Sequence, residues 1–382
     1  MDTTTRKPSL SYLFAFWIIS NVLVVLWVFG EISDVHLPGS LGRAEGVAFY
    51  ILTALVPFLL LFWLRRLIDF TTLGLLVCCC LALSAASHEA NLLRESMQIS
   101  LDHERSFLHT EFVEGIIRPL ISIIVDAYVR ILGDDHHHGQ TSFTHIAINY
   151  MFDSASFIAV FALGTRLLTA ISTWLCLFIV AFIAQTAPMM GRMGNVFLSG
   201  GFFWQLFLLS SKRYIAAITC GIVICFMRTD VVFATTFAIP STALFERRWP
   251  TQAEWWTFFS LIGISLLIPE VLIALHPNAN FASFLITHGD YFGKIIGNLV
   301  TLKLAVALAC PMLAVIIVSK WQLSRTVAVV IPPALIYLGI VFLIADFTET
   351  RLLGPTLGAF AFVCSERLGA LLQASERFDV GR

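Results

Sequence analysis

Residues 170–187, AISTWLCLFIVAFIAQTA, form an apolar run without a charged residue that is long enough to cross the hydrocarbon core of a bilayer as one helix. Runs of similar length recur along the whole chain of 382 residues. Hydrophobic residues make up 58% of the sequence and charged residues 13%, against roughly one quarter charged in soluble domains. The sequence therefore predicts an all-α, polytopic membrane protein with a single integral membrane domain over 1–382.

About eleven or twelve spans are expected from windows of this length. Besides 170–187 they lie near 11–30, 47–64, 71–87, 152–167, 196–211, 214–228, 231–245, 256–275, 296–319, 326–345 and 352–365. The formal net charge is -1, which argues against a nucleic-acid-binding protein. The function is therefore expected to lie within the helical bundle.

Basic residues in the short loops set the expected orientation, because such residues favour the cytoplasmic side. With the N-terminus inside, these loops receive Arg65, Arg66, Arg166, Lys212, Arg213, Arg247, Arg248, Lys320 and Arg325. Both termini are then cytoplasmic, and 366–382 forms a short cytoplasmic tail helix. The first span is expected to stay uncleaved as an anchor, which places the protein in the cell membrane, the inner membrane in a bacterium.

The hydrophilic stretch 88–150 falls on the external side in this layout. Within it, apolar residues recur at helical spacing among charged ones over 91–132. Those charges make spanning costly, whereas a helix lying in the interface keeps them in contact with water. One or two interfacial helices are expected, with a break or kink at Pro119.

A cluster of acidic residues and histidines closes this external stretch, with the sequence DDHHH at 134–138 and His145 shortly after it. Paired carboxylates such as Asp134 and Asp135 suit Mg²⁺ or Mn²⁺ on a diphosphate, or a general base toward a sugar hydroxyl. The imidazoles widen the choice to zinc. A solvated polar turn without chemistry is the alternative, and the sequence leaves the question of a metal open.

Three other external positions carry candidate residues. Asp34 follows the first span and is a second candidate base, although an ordinary polar loop is the alternative. Glu349 and Arg351 lie at the mouth of the last span, where an arginine suits phosphate or carboxylate, or else a local ion pair. Arg228 lies on the side that basic residues avoid, so it either binds an anionic group or pairs with Asp230.

Several common sites are absent from the sequence. It has no Walker A motif, no GxSxG, no HExxH and no Rossmann glycine pattern, which argues against the usual ATPases, serine hydrolases and zinc proteases. The eight cysteines show no metal-binding spacing and lie in or beside apolar runs, so they are expected to serve packing.

The chain combines about eleven spans with interfacial helices in a long external segment. It also has external carboxylates at Asp34, Asp134 and Asp135, and the sequence Glu349-Thr350-Arg351 before Pro355. In these features it resembles membrane glycosyltransferases of the GT-C type and related polysaccharide polymerases. It departs from them in placing the long external segment after the third span, where the first is more usual. Which acidic residue is catalytic therefore stays open between Asp34 and the pair at 134–135.

The resemblance implies a polyprenyl-phosphate-linked sugar donor at the external leaflet and a role in cell-envelope polysaccharide biosynthesis. It implies that Asp134 or Asp135 deprotonates the acceptor and that Arg228 and Arg351 hold the lipid phosphate. The remaining expected substrate-binding residues are His136, His137, His138, His145 and Glu349. Two alternatives remain: a secondary transporter or flippase, and a membrane acyltransferase with one of these histidines as base.

Overall fold

A computed structural model describes residues 8–33, 68–92, 119–132, 143–186, 195–276, 309–310, 312–319, 323–344 and 353–379. Twelve helices have both ends defined within this part of the chain, and no strand occurs in it. The helices are α1 Leu10–Ser33, α2 Phe70–Leu92, α3 Pro119–Leu132, α4 Phe143–Leu167, α5 Ala170–Thr186, α6 Asn195–Ser210, α7 Tyr214–Cys225, α8 Thr229–Thr236, α9 Ala238–Phe245, α10 Gln252–Ala274, α11 Arg325–Ile344 and α12 Gly354–Asp379. The all-α prediction is confirmed.

Four helices are long and apolar enough to cross a membrane, through the segments Phe70–Ser87, Thr144–Leu167, Gln252–Ala274 and Arg325–Leu343. Shorter apolar helices accompany them at Leu10–Leu26, Ala170–Ile183, Gly200–Ser210, Tyr214–Cys225 and Thr229–Phe245. Large apolar side chains such as Phe182, Ile215 and Leu267 are exposed on the outside of the bundle. An apolar exterior of this kind suits a lipid environment.

Helix α4 is the centre of the bundle, because 94% of its apolar segment is buried. It packs against α1, α2, α3, α5 and α6. Small residues allow the closest approaches: a Cβ on Gly74 of α2 would lie 2.0 Å from Phe161, and one on Gly200 of α6 would lie 2.5 Å from the hydroxyl of Ser156. Small residues at helix contacts are typical of packing in membranes.

Helix α4 is also longer than expected, since the sequence placed this span at 152–167 and the helix begins at Phe143. The extra turns contain His145 and Asn149, which lower the local hydropathy and hide the helix from a window search. In the fold these polar side chains are buried rather than exposed to solvent.

The expected span 231–245 is two short helices, α8 and α9, separated by a turn at Phe237. Pro240 explains the break, because proline has no N–H to donate to the preceding turn. The hydroxyl of Ser241 donates to the carbonyl oxygens of Phe237 at 2.8 Å and of Ala328 in α11 at 2.7 Å. The Ser241 hydroxyl thus links α9 to α11.

Part of the predicted external segment 88–150 is described as helix α3. Helix α3 begins at Pro119, a favoured residue for the first helical position. It buries Ile121, Val125 and Val129 on one side and exposes Arg130 on the other. At the other end of the chain, α12 continues unbroken from the last expected span through Asp379.

Five basic residues gather at one end of the bundle, which we call the basic end: Arg166, Lys212, Arg213, Arg248 and Arg325. The sequence expected all of them on one side, and the fold confirms that they share an end. The orientation of that end in the membrane stays a prediction.

Two turns at the basic end use a basic residue where glycine is usual. Lys212 and Arg247 have φ angles of 57° and 53°. In each turn the backbone N–H of the next residue donates to a carbonyl in the last turn of the helix. Arg213 N–H donates to Leu208 O and Arg248 N–H donates to Ala243 O, each at 3.0 Å. This is the Schellman arrangement, in which a left-handed residue satisfies the last carbonyls.

Candidate functional site

Most of the residues expected to form the site lie outside the described residues. These are Asp34, Asp134, Asp135, His136, His137, His138, Glu349 and Arg351. The expected cavity between 134–138 and 349–351 falls there as well. Two expected site residues, His145 and Arg228, are described, and the site is built here from them.

His145 belongs to a buried polar face of α4. His145, Asn149 and Asp153 follow one another at intervals of four residues and therefore project from one side of the helix. Their exposed fractions are 3%, 5% and 1%. We call these three residues the α4 polar face. Burying such groups is costly, and in membrane proteins buried ionisable residues are functional candidates by default.

Asn149 is the most informative member of the α4 polar face. Its side-chain Nδ2 is shielded from solvent and has no hydrogen-bond partner among the described residues. An amide that is buried without a partner costs about 1–3 kcal/mol. The position is therefore poorly explained by stability alone.

Packing places the turn that carries Arg228 against α3 and α4. Ile121, Val125 and Val129 of α3, Ile148 and Phe152 of α4, and Met227 form one buried apolar cluster. The N–H of Leu120 donates to the carbonyl of Phe226 at 3.4 Å. Since Phe152 is the sequence neighbour of Asp153, this cluster brings the Arg228 turn to the same part of the bundle as the α4 polar face.

Arg228 forms a two-pronged ion pair with Asp230. Its Nε donates to Oδ1 at 2.9 Å and its Nη2 to Oδ2 at 2.5 Å. The side chains are only 11% and 12% exposed. The local pair that the sequence offered as an alternative is present, and substrate binding by Arg228 stays a prediction.

Polar contacts also join α4 to α1. The indole N–H of Trp17 donates to the Ser154 hydroxyl at 3.1 Å and to the Met151 carbonyl at 3.3 Å. Sequence reasoning did not single out Trp17 or Ser154. The spacing of four residues between His145, Asn149 and Asp153 is a signal that the sequence contains. The predicted span began only at residue 152, so it did not place these three residues on one helix.

A metal site is not formed by the residues that the structure describes, since no group of three His, Cys, Asp or Glu side chains converges among them. The metal expected at 134–138 concerns residues outside this set and stays a prediction.

The described residues do form a pocket, but it lies at the basic end and not beside the α4 polar face. It has about 370 Å³ of empty space, part of it open solvent, and Lys212, Tyr214, Arg248, Glu254 and Arg325 contribute its polar lining. The pocket therefore cannot be identified with the external cavity that the sequence led us to expect.

Glu254 organises one wall of this pocket. Its carboxylate accepts hydrogen bonds from Arg248 Nη1 at 2.6 Å, Arg248 Nη2 at 2.7 Å and the Tyr214 hydroxyl at 3.1 Å. It also caps α10, accepting from the N–H of Thr251 at 2.7 Å, while its own N–H donates to the Thr251 hydroxyl. Hydrogen bonds to Glu254, and then to Glu246, raise the pKa of Arg248. Arg248 and Glu254 thus form an ion pair with two parallel hydrogen bonds.

The Thr251-x-x-Glu254 pattern is the sequence signature of such a capping box, so this network was recognisable from the sequence.

Comparisons with known proteins add no identity. No protein-family model, no curated protein and no solved structure matches the chain.

Proposed function

We propose that the protein transfers a sugar from a polyprenyl-phosphate-linked donor to an acceptor glycan or lipid at the external membrane face. In this reaction an external carboxylate takes the proton of the acceptor hydroxyl. The acceptor oxygen then forms a bond to the anomeric carbon, the bond from that carbon to the phosphate oxygen breaks, and the lipid phosphate leaves.

The observation that carries the proposal is the α4 polar face. A buried histidine, amide and carboxylate in line on the central helix offer hydrogen-bond donors and acceptors of the kind that a sugar requires. The unpartnered Asn149 amide suits a group kept for a ligand. Natural sites often keep such destabilising polar groups because function needs them.

The place of this face within the bundle also supports the proposal. It begins in the first turns of α4, shortly after the acidic pair at 134–135, and packs beside α3, the helix expected in the interface. A donor whose lipid tail stays in the bilayer would approach from that interface. Arg228 and Arg351 are proposed to hold its phosphate, where fixed cations stabilise the charge of the leaving group.

The test is sugar transfer in proteoliposomes with a polyprenyl-phosphate-linked donor, comparing the Asp34→Asn variant with the double variant Asp134→Asn, Asp135→Asn. Loss of a catalytic base should lower the rate at least 100-fold in one of the two. Asp69→Asn is the matched control and should keep full activity. This exposed carboxylate directly precedes α2, and the first turns of α2 pack near the C-terminal end of α4, away from the α4 polar face. Full activity in all three would contradict the proposal.

The same vesicles separate the alternatives. Solute flux without a lipid-linked donor would favour a transporter or flippase, and acyl transfer abolished by substituting His136–His138 or His145 would favour an acyltransferase. Either result, obtained without sugar transfer, would replace the proposed function.

A further inference from the structure

Three arginines converge at the basic end without a carboxylate between them. Arg166 at the end of α4 lies within electrostatic range of Arg325 and Arg213, and these contacts are repulsive. Among the described residues, no carboxylate forms an ion pair with any of the three. Convergence of like charges is unfavourable, so it calls for a compensating anion.

Arg166 shows the cost most directly. Its Nε is shielded from solvent and has no acceptor in the described part of the chain. A buried charged donor without a partner costs more than a neutral one, for which the penalty is about 1–3 kcal/mol. The Thr326 hydroxyl, next to Arg325, donates to the Leu167 carbonyl at 3.5 Å and so joins the start of α11 to the end of α4.

Two of the arginines also lie where a helix disfavours positive charge. Arg325 is the first residue of α11, and Arg213 directly precedes α7, which begins without a side-chain cap. The N-terminal end of a helix carries partial positive charge, so it favours anions and disfavours cations. An anion placed here would gain from the uncapped start of α7 and from all three guanidinium groups, whereas α11 is already capped by Ser324.

The carboxylates nearby are already engaged. Glu366 accepts hydrogen bonds from the hydroxyls of Ser324 at 2.7 Å and Thr326 at 3.1 Å. Glu254 is bound by Arg248. Arg325 continues into the pocket of the basic end, where Lys212 adds a further cation that forms no ion pair within the described residues.

We propose that Arg166, Arg213 and Arg325, with Lys212, form a binding site for a phosphate group. Guanidinium groups match phosphate oxygens in pairs, and phosphate has enough acceptors for all three arginines. The phosphate belongs either to the headgroup of an anionic phospholipid at that membrane surface or to a free soluble phosphate. The site is independent of the proposed sugar transfer, because Arg166 ends α4 whereas the α4 polar face begins near the other end of that helix.

The experiment follows thermal unfolding of the purified full chain by tryptophan fluorescence. In detergent, inorganic phosphate is titrated against sodium chloride of equal ionic strength. In a second arm, the protein is placed in nanodiscs of phosphatidylcholine alone or with phosphatidylglycerol added. A ligand concentration of about ten times the dissociation constant should raise the melting temperature by about 2 °C.

Three variants identify the site. Arg166→Gln and Arg325→Gln should weaken the stabilising effect about tenfold, the usual loss for one charge-assisted pair of hydrogen bonds. Arg247→Gln is the matched control, because it removes the same charge from an exposed arginine in a neighbouring turn. Without phosphate or phosphatidylglycerol, Arg325→Gln should not be less stable than the original protein, since it relieves repulsion.

Each outcome decides the question. An effect of inorganic phosphate that needs Arg166 and Arg325 identifies a free phosphate ligand, and an effect confined to phosphatidylglycerol nanodiscs identifies a lipid headgroup. If neither ligand stabilises the protein, or if Arg247→Gln reduces the effect as much as the other two, the site does not exist. If Arg166→Gln folds poorly, Arg325→Gln alone still shows whether the ligand needs these arginines.

Discussion

The Glu254 network allows the sharpest test of the fold. Replacing Glu254 with Ala removes one carboxylate that accepts two hydrogen bonds from Arg248, one from Tyr214 and one from the N–H of Thr251. The Glu254 side chain is 8% exposed and that of Arg248 is 28% exposed. The substitution therefore breaks a largely buried pair and a helix cap together.

The expected loss follows from these contacts. Removing one partner of a buried ion pair costs about 3–5 kcal/mol, and the exposure of Arg248 together with its second carboxylate, Glu246, reduces this to about 2 kcal/mol. The capping contact to Thr251 adds about 1 kcal/mol, and the hydrogen bond from Tyr214 adds less than 1 kcal/mol. The free energy of unfolding should thus fall by about 3–4 kcal/mol, which for a chain of 382 residues corresponds to a melting temperature lower by about 4–5 °C.

The assay is thermal unfolding in detergent, with Glu246→Ala as the control. Glu246 binds the same arginine through its Nε at 2.6 Å, but both side chains are nearly one-third exposed there. Surface pairs of this kind contribute about 0–1 kcal/mol, so the control should lose at most about 2 °C. Equal losses in the two variants would refute the idea that Glu254 organises this wall.

Three further predictions use the same unfolding assay. Gly200→Ala should lower the free energy of unfolding by about 1–3 kcal/mol, because the added Cβ would lie 2.5 Å from the Ser156 hydroxyl and 3.0 Å from its Cα. Gly263→Ala is the control and should be neutral or stabilising, because there is open space around Gly263. Asp230→Asn should cost about 2–4 kcal/mol by breaking its paired hydrogen bonds with a buried arginine, and an unchanged melting temperature would contradict this. Asn149→Leu should keep or raise stability, since it removes an unpartnered amide, but should lower sugar transfer at least tenfold in the proteoliposome assay.

The helical class and most helix positions were predictable because lipid allows few solutions. A backbone in hydrocarbon must satisfy its own hydrogen bonds, so a long apolar run such as 170–187 can only be a helix, and it is helical over Ala170–Thr186. The basic residues at the loops also predicted which helix ends lie together, as Arg166, Arg213 and Arg325 show. Hydropathy and the positions of basic residues therefore predicted the helices and their shared end without any sequence motif.

The same signal failed where polar residues are buried. The first turns of α4 were assigned to an external turn because His145 and Asn149 lower the hydropathy, although both are enclosed by protein. The split between α8 and α9 depended on one residue, Pro240, whose effect a window average does not register. Candidate sites are built from such exceptions, so the sequence identified their residues more readily than their arrangement.

The pairing of charges differs between the two ends of the bundle. At the Arg228 turn the arginine is paired with Asp230 at short range, and the Nδ2 of Asn149 on α4 is a neutral donor without a partner among the described residues. Neutral donors and acceptors suit a sugar, whose hydroxyls are uncharged. At the basic end the carboxylates of Glu254 and Glu366 accept hydrogen bonds. Three arginines, Arg166, Arg213 and Arg325, form no ion pair with a carboxylate among the described residues. An unpaired set of guanidinium groups suits a phosphate, so both proposals start from a buried polar group that has no partner among the described residues.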